Sequence, residues 1–337
     1  MKYSGIDLHS NNCVVSVIDE EDRVVDEKRL PNDLEKILAF LQPCKAQLSG
    51  VAVESTFNWY WLVDGLQAGG FNVHLANPGA IKKYEGLKHS GDESDARYLA
   101  HLLRLNILPT GTILAPQHRA LRDLARKRMQ LVRSRTAHIL SIENITARQR
   151  GARLLSNQVK GLSAERIEQM GLHEDVAFAL KANLAVIDTL SEQIGLLEKR
   201  LQEKVGQRPE YKLLTSVPGI GQVLATTILL ETGPIERFAA AGQFASYARC
   251  VNSVHTSNGK KKGAGNTRNG NKYLAWAFVE AAYFAMRYCA QAKRFYERKK
   301  AKTNTAVAIK ALAHKLARAC FHILKERKPF DVTRCFA

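Results

Sequence analysis

Strand and helix signals alternate through the first hundred residues in a single, restrictive order. Short apolar runs at residues 3–6 and 13–18 and a more polar alternating run at 23–29 read as three strands, with the acidic turn Asp19-Glu20-Glu21-Asp22 between the second and third. A helical pattern follows at 33–41. A strand at 48–53 then runs into Glu54, and a helix at 58–68 is stopped by Gly69-Gly70. A strand at 71–76 ends in Asn77-Pro78-Gly79, and residues 92–105 read as a helix. Three strands, helix, strand, helix, strand, helix is the order of an α/β domain whose antiparallel meander is extended by parallel strands.

From Pro116 the pattern becomes helical and basic. Leu121, Leu124, Leu131, Ile142 and Ile145 fall on one heptad seam, interrupted by Arg128, Arg135 and His138. Leu180, Ile187, Leu190, Ile194, Leu197 and Leu201 form a second seam with 3–4 spacing. Two such stretches either pair antiparallel within one chain or zip two chains together, and residues 157–171 between them read as a turn or loop. A third, mostly helical region starts at Tyr211. There Ser216-Val217-Pro218-Gly219-Ile220-Gly221 precedes an apolar helix at 223–230, and a short helix covers 238–247. A loop rich in Gly, Asn, Ser and Lys spans 249–271, and helices at 272–287 and 305–324 close the chain. The expected fold class is α/β plus all-α, with domains at 1–112, 113–208 (a basic helical, coiled-coil segment) and 209–337.

Charge narrows the partner. Fifty Lys+Arg against 32 Asp+Glu leave a net charge of +18, a field that attracts polyanions. No apolar run approaches the ~18–20 residues that span a bilayer, and the first ten residues carry no apolar signal core. Nucleic acid, not a membrane, is therefore the expected partner and the cytoplasm the expected compartment; a basic protein without such a partner is the bland alternative. The cysteines at 13, 44, 250, 289, 320 and 335 include no Cys-x-x-Cys pair. They read as reduced structural thiols and do not indicate zinc.

The chemistry suggested by the N-terminal third is carboxylate chemistry. The element order is that of a ribonuclease-H-like, RuvC-like domain, in which the first and fourth strands lie side by side. Asp7 ends the first and Glu54 the fourth, so their carboxylates project at one edge. Asp92 and Asp95, three apart, share a helix face. Converging carboxylates raise one another's pKa, a cost that hard divalent cations such as Mg²⁺ or Mn²⁺ relieve. Two such ions about 3.5–4 Å apart clamp the attacking and leaving oxygens of a phosphodiester. Each residue also has a bland reading. Asp7 and Glu54 fit solvated strand ends, Asp92 a helix cap in Ser90-Gly91-Asp92-Glu93, and Asp95 a partner for Arg97 or Arg104. A sugar-kinase-like ATPase also begins with a strand ending in Asp, but Leu8-His9-Ser10-Asn11-Asn12 lacks the glycine of a phosphate loop.

In the C-terminal third, the Pro-Gly-Ile-Gly turn before a helix resembles half of a helix-hairpin-helix element, with the backbone N–H groups at Gly219 and Gly221 able to face a phosphate; an ordinary tight turn is the alternative. The run from His255 to Lys272 combines glycines, small polar residues and the cations Lys260, Lys261, Lys262, Arg268 and Lys272, the composition of a phosphodiester-binding loop or of a flexible surface loop. A serine or threonine there can serve as a nucleophile if a base or a lowered pKa activates it. Ser253, Thr256 and Ser257 all qualify on composition.

These residues together resemble the DEDD-type insertion-sequence transposases, the one-hundred-and-ten family and its eleven-eleven branch. The resemblance covers nearly the whole chain. It rests on Gly5-Ile6-Asp7, on Val53-Glu54-Ser55-Thr56, on Lys88 through Asp92-Glu93-Ser94-Asp95-Ala96-Arg97, on Ser216 to Gly221, on Phe238, and on Gln243-Phe244-Ala245-Ser246-Tyr247-Ala248. It departs from the common pattern where Arg249-Cys250-Val251-Asn252 replaces a Gly-Leu-x-Pro segment. The resemblance implies that Asp7, Glu54, Asp92 and Asp95 hold two divalent ions. It implies that Ser257, with Ser253 as the weaker candidate, forms a covalent phosphoserine during strand exchange. It also implies double-stranded DNA at element ends and target, a structured bridge RNA as guide, and a homo-oligomer. The basic helices add candidate nucleic-acid contacts at Arg119, Arg122, Arg126, Lys127, Arg128, Arg133 and Arg135, continuing to Arg148, Arg150 and Arg153; a solvated helix face is their alternative. Two rival functions remain, a RuvC-like Holliday-junction nuclease using the carboxylates and water, and a non-catalytic nucleic-acid-binding protein.

Overall fold

A computed structural model describes residues 1–81, 91–263 and 269–337. The chain divides into two compact units, Met1–Pro116 and Gln117–Ala337. Among the described residues no helix is long and apolar enough to cross a membrane.

The first unit contains β1 (Lys2–Leu8), β2 (Asn12–Ile18), β3 (Val24–Pro31), α1 (Leu34–Leu41), β4 (Leu48–Glu54), α2 (Tyr60–Ala68), β5 (Val73–Ala76), α3 (Asp92–Arg104) and β6 (Thr110–Gly111). The sheet order is β3-β2-β1-β4-β5-β6. β1 is antiparallel to β2 and parallel to β4, and β4 is parallel to β5. This mixed sheet fits the ribonuclease-H-like order read from the sequence. β6, two residues antiparallel to β5, is a strand of this sheet that the sequence did not announce, being too short to carry a pattern; in the second unit the expected loop at 249–271 likewise holds a two-stranded hairpin.

Side-chain alternation sorts the sheet into two faces. Ile6, Leu8, Cys13, Val15, Val17, Val51, Val53 and Leu75 pack against Ile37 and Leu41 of α1 and Leu62, Val63 and Leu66 of α2. The opposite face carries Gly5, Asp7, Ala52, Glu54 and Ala76, with Leu99 of α3 packed on Ala52 and Ala76. β1 is central and covered on both sides, so it is buried almost throughout, whereas β3, an edge strand, is mostly exposed.

The second unit starts in α4 (Pro116–Arg150) and continues through α5 (Ser156–Lys160), α6 (Ala164–Glu168) and α7 (Glu174–Val205). Arg128 pairs with Glu198, Arg135 donates to Ser191 Oγ, and His138 lies 2.9 Å from Asn183. The falling partner numbers define an antiparallel pair. Ile139 and Ile142 pack there with Leu180, Leu184 and Ile187. The two seams therefore meet within one chain. The expected loop at 157–171 is instead largely helical, because Val159 of α5 and Ile167 of α6 close the apolar end of the α4–α7 pair.

Beyond it lie α8 (Pro209–Thr215), α9 (Gln222–Thr232), α10 (Ala241–Tyr247), the hairpin strands β7 (His255–Ser257) and β8 (Lys260–Gly263), α11 (Lys272–Tyr288), α12 (Ala290–Lys302), α13 (Thr305–Glu326) and α14 (Val332–Phe336). α9 is buried along most of its length, and Phe238, Phe278 and Phe321 surround Phe244 at its side. α12 was not expected: its apolar face is one turn long, Ala292, Phe295 and Tyr296, in an otherwise charged run. Its Ala, Lys, Arg and Glu residues are good helix formers even so. All six cysteines are free thiols, four of them buried. Burial pushes the Cys250 thiol up to about 12, which makes it a packing residue and not a nucleophile.

Candidate carboxylate site and serine hairpin

The carboxylate site is built by register. Ile6 pairs with Val53 across parallel β1 and β4, so Asp7 and Glu54 follow on adjacent strands, on the face that α3 covers. Gly5, two residues before Asp7 on that face, decides how closely α3 can lie. A Cβ at this position would stand 2.0 Å from the Ala96 carbonyl oxygen and 2.7 Å from the Ala100 nitrogen. Only glycine allows the helix backbone to touch the strand. The first turn of α3 then delivers Asp92 and Asp95 beside Asp7. Ser94 Oγ fixes that turn, accepting from the Gly91 N–H at 2.9 Å.

Cross-strand rows tie α3 down. Gly5, Ser16 and Glu27 stand in one row and Asp7, Val14 and Arg29 in the next. Glu27 grips Arg97 through two 2.6 Å bonds, and Arg29 Nη2 donates to Asp92 Oδ2 at 2.6 Å. His9 Nε2 sits 3.4 Å from Asp7 Oδ2 and 3.3 Å from Asp92 Oδ2. Its backbone carbonyl accepts from Asn32 and Asn58, which pins the turn after β1.

Asp7 is buried, with 4% of its surface exposed. Burial, a hydrogen bond with Glu54, and the charges of Glu54 and Asp95 raise its pKa to about 7, partly offset by His9. Asp92 is pulled the other way, below the usual carboxylate range, chiefly by its hydrogen bond from Arg29. The donor atoms of Asp7, His9 and Asp92 lie within 4.8 Å of one another. A buried acid whose pKa is raised by burial and by acidic neighbours, beside a second carboxylate that already holds a guanidinium, is a donor set suited to a cation. The four predicted carboxylates thus gather around Asp7, but among the described residues the group with metal-ligand spacing is Asp7, His9 and Asp92, without Glu54 and Asp95. Sequence reasoning missed His9 and Arg29. His9 was accessible, since Asp-Leu-His on a strand end puts both polar side chains on one face; Arg29 required the register of β3.

Ser257 lies elsewhere in the chain, at the end of β7 in register with Lys260. Asn258 and Gly259 both have positive φ, 51° and 70°, as a two-residue type I′ hairpin turn requires. Ser257, Lys260 and Lys262 are exposed. Ser253 precedes the hairpin, half-buried, in the wall of a groove. The Lys261 side chain and Arg268 lie outside the described residues, as does Lys88. The downstream base of the serine segment is anchored by Asn271, whose backbone N–H donates to the Tyr247 carbonyl at 2.6 Å and whose Nδ2 donates to Glu231 at 2.7 Å. Glu231, buried in α9, accepts two bonds from Arg126 of α4 at 2.6 and 2.7 Å.

The predicted basic contacts separate into two groups. Arg119 is buried. Arg126, Arg128 and Arg135 have partners inside their own unit, Arg122 lies 3.7 Å from Asp123, and Arg153 pairs with Glu143. Lys127, Arg133, Arg148, Arg150 and Lys272 are exposed. Gly219, at φ +90°, lies against α11, where a Cβ would stand 2.4 Å from the Ala281 carbonyl oxygen; Gly221 caps α9 with open space around it.

Comparison with known proteins places this geometry. Residues 4–146 match the family model of the IS110-type DEDD transposases, and residues 211–297 match the model described as "Transposase IS116/IS110/IS902 family". The chain belongs to the IS110 family of insertion-sequence transposases. The transposase is 25% identical to a probable family 20 transposase of Pseudomonas aeruginosa, over 95% of this chain and 96% of the relative. It is 22% identical to the transposase for insertion sequence element IS1111A of Coxiella burnetii, over 86% of this chain and 79% of the relative. With the transposase for IS1328 of Yersinia enterocolitica it shares 23% identity, over 97% and 98%. The first match spans all of the carboxylate-bearing unit from β1 onward, and the second spans α8 through the serine hairpin to α12. Family membership implies DNA strand transfer, and the DEDD family suggests use of a divalent metal.

Proposed function

We propose that this transposase exchanges DNA strands through a covalent phosphoserine on Ser257, with Asp7, Glu54, Asp92 and Asp95 holding two divalent ions, Mg²⁺ or Mn²⁺. The observation that carries the reading is the convergence of four carboxylates on one face of the sheet edge, with Asp7 raised to about 7 by burial and its acidic neighbours. Bound divalent ions would polarise the scissile phosphate and lower the pKa of an attacking hydroxyl.

The chain's own residues do the rest. Ser257 Oγ attacks phosphorus; the serine–phosphate ester forms as the bond to the leaving oxygen breaks, and the leaving strand takes up the proton as a hydroxyl. The hydroxyl of a second strand then attacks the phosphoserine, restores a phosphodiester and returns the proton to Ser257. The bond energy is conserved in the ester, so no nucleotide cofactor is needed. Lys260, Lys262 and Lys272, exposed around the serine segment, and Lys127 and Arg133 on α4 neutralise phosphates. Duplex DNA, a structured RNA encoded beside the gene, and a homo-oligomer complete the assembly; the family resemblance is what supports all three, and the net charge of +18 adds support for the nucleic acids alone.

A denaturing gel tests this. Protein, Mg²⁺, the element's flanking DNA and the RNA transcribed beside it should yield a protein–DNA adduct in the parent chain and none in Ser257→Ala or Asp7→Asn. An adduct lost only in Ser253→Ala would move the nucleophile to that residue. Metal-dependent nicking that survives both serine changes would sink the phosphoserine and leave a hydrolysing nuclease.

A further inference from the structure

Two hollows of the second unit join along α13. One, of about 470 Å³, is walled by Tyr247, Arg249, Ser253, Val254, Asn269 and Lys310. The other, of about 390 Å³, is walled by Cys250, Lys299, Val307, Ala311 and His314. They share Val251, Asn252 and Lys310, so they form one groove between the serine segment and the first turns of α13. Val307, Lys310, Ala311 and His314 recur at helical spacing and present one face of α13 to it.

The lining has a definite chemistry. Val251, Val254 and Val307 are large apolar residues left exposed, and they sit between cations. Lys299 and Lys310 are exposed, and among the described residues neither is in an ion pair. Apolar walls with separated ammonium groups suit a ligand that alternates flat apolar faces with phosphates. An unpaired nucleic-acid strand has that pattern, whereas a duplex keeps its base faces stacked inside and offers phosphates, sugars and base edges to such a surface. Each hollow has the volume of a pocket for one small organic group, about 300–1,000 Å³, which suits one or two nucleotides and not a double helix.

We propose that this groove holds the unpaired DNA strand that strand transfer creates beside the scissile phosphate, with Lys299 and Lys310 on its phosphates and Val251, Val254 and Val307 against its bases. The proposal rests on the strand-transfer reading but not on the identity of the nucleophile. Holding a freed end in the groove would keep it available for rejoining.

Fluorescence anisotropy on the full-length protein, with a labelled thymidine oligonucleotide and a labelled duplex of equal length, tests it without turnover. Lys299→Ala with Lys310→Ala should weaken single-strand binding about tenfold and leave duplex binding within twofold, and it should reduce the single-strand salt slope by about 1.4, that is about 0.7 for each phosphate no longer neutralised. Lys299→Arg with Lys310→Arg should restore single-strand affinity. Equal weakening on strand and duplex, or an unchanged single-strand affinity, would overturn the groove as a strand site. Ser257→Ala should bind the single strand as the parent does. An adduct that persists in Ser257→Ala while the lysine effects hold would move the nucleophile away from Ser257 and leave the groove standing.

Discussion

Burial and two acidic neighbours hold the Asp7 carboxyl at about 7 in the metal-free protein, against 3.8 for an ordinary aspartate. Its folded-state pKa is raised, so the folded protein binds this proton more tightly than the unfolded chain. The resulting stability is fully present below about pH 3.8 and is lost as pH rises from there through about 7. Asp7→Asn removes the titration. The metal-free variant should therefore melt several degrees above the parent at pH 8, reflecting on the order of 2–4 kcal/mol, and the two should converge near pH 4. Millimolar Mg²⁺ should raise the parent's melting temperature and not the variant's, because a ligand stabilises only the state that binds it. Differential scanning calorimetry across pH, with and without Mg²⁺, checks both; a variant less stable than the parent at pH 8 would show that Asp7 is not destabilised by its surroundings. Asp7 and Glu54 were legible in the sequence because each closes an apolar run. Asp92 and Asp95 were legible from their three-residue spacing. His9 and Arg29 were not read, since one needed the face of a strand end and the other the pairing of a third strand.

Among the elements, α3 positions half of the carboxylates, and Gly5 sets its height above β1. Gly5→Ala would place a Cβ against two backbone atoms of α3 that cannot yield. It should cost about 1–3 kcal/mol, as overpacking does, and lower strand transfer about a hundredfold by moving Asp92 and Asp95 about 1 Å off their places; melting and adduct-formation rates measure the two effects. If adduct formation is unaffected, the height of α3 does not matter to the site. Glu231 plays the corresponding part for the serine segment, joining Arg126 of α4 to Asn271 at its base. Glu231→Ala leaves a partly buried guanidinium without its carboxylate and should destabilise the second unit by about 3 kcal/mol. Neither role was visible beforehand, since a glycine in a strand and a glutamate in an apolar helix carry no pattern that names their partners. Regular apolar spacing revealed β1–β5, α3, α4 and α7. Where the apolar face is a single turn or less, as in α5, α6 and α12, the sequence showed composition without structure.

At the scale of the whole molecule, a charge of +18 overstates the cation available to a nucleic acid. The basic run of α4 looks like one continuous polyanion contact in sequence. In the folded unit, Arg126, Arg128 and Arg135 are committed to Glu231, Glu198 and Ser191, and Arg119 is buried. Arg126, Arg128 and Arg135 fasten α4 to α7 and α9, leaving Lys127, Arg133, Arg148 and Arg150 of that helix exposed. Salt dependence separates the two groups, because each phosphate neutralised adds about −0.9 to the log–log slope of duplex binding. Lys127→Ala and Arg133→Ala should each make the slope shallower by about 0.9 and leave melting unchanged within about 0.5 kcal/mol, as surface substitutions do. Arg128→Ala should leave the slope as it is and lower the melting temperature, since it removes a link between α4 and α7. If Arg128→Ala instead makes the slope shallower without loss of stability, its pairing with Glu198 opens on binding, and the basic helix meets DNA with its inner arginines as well as its outer ones.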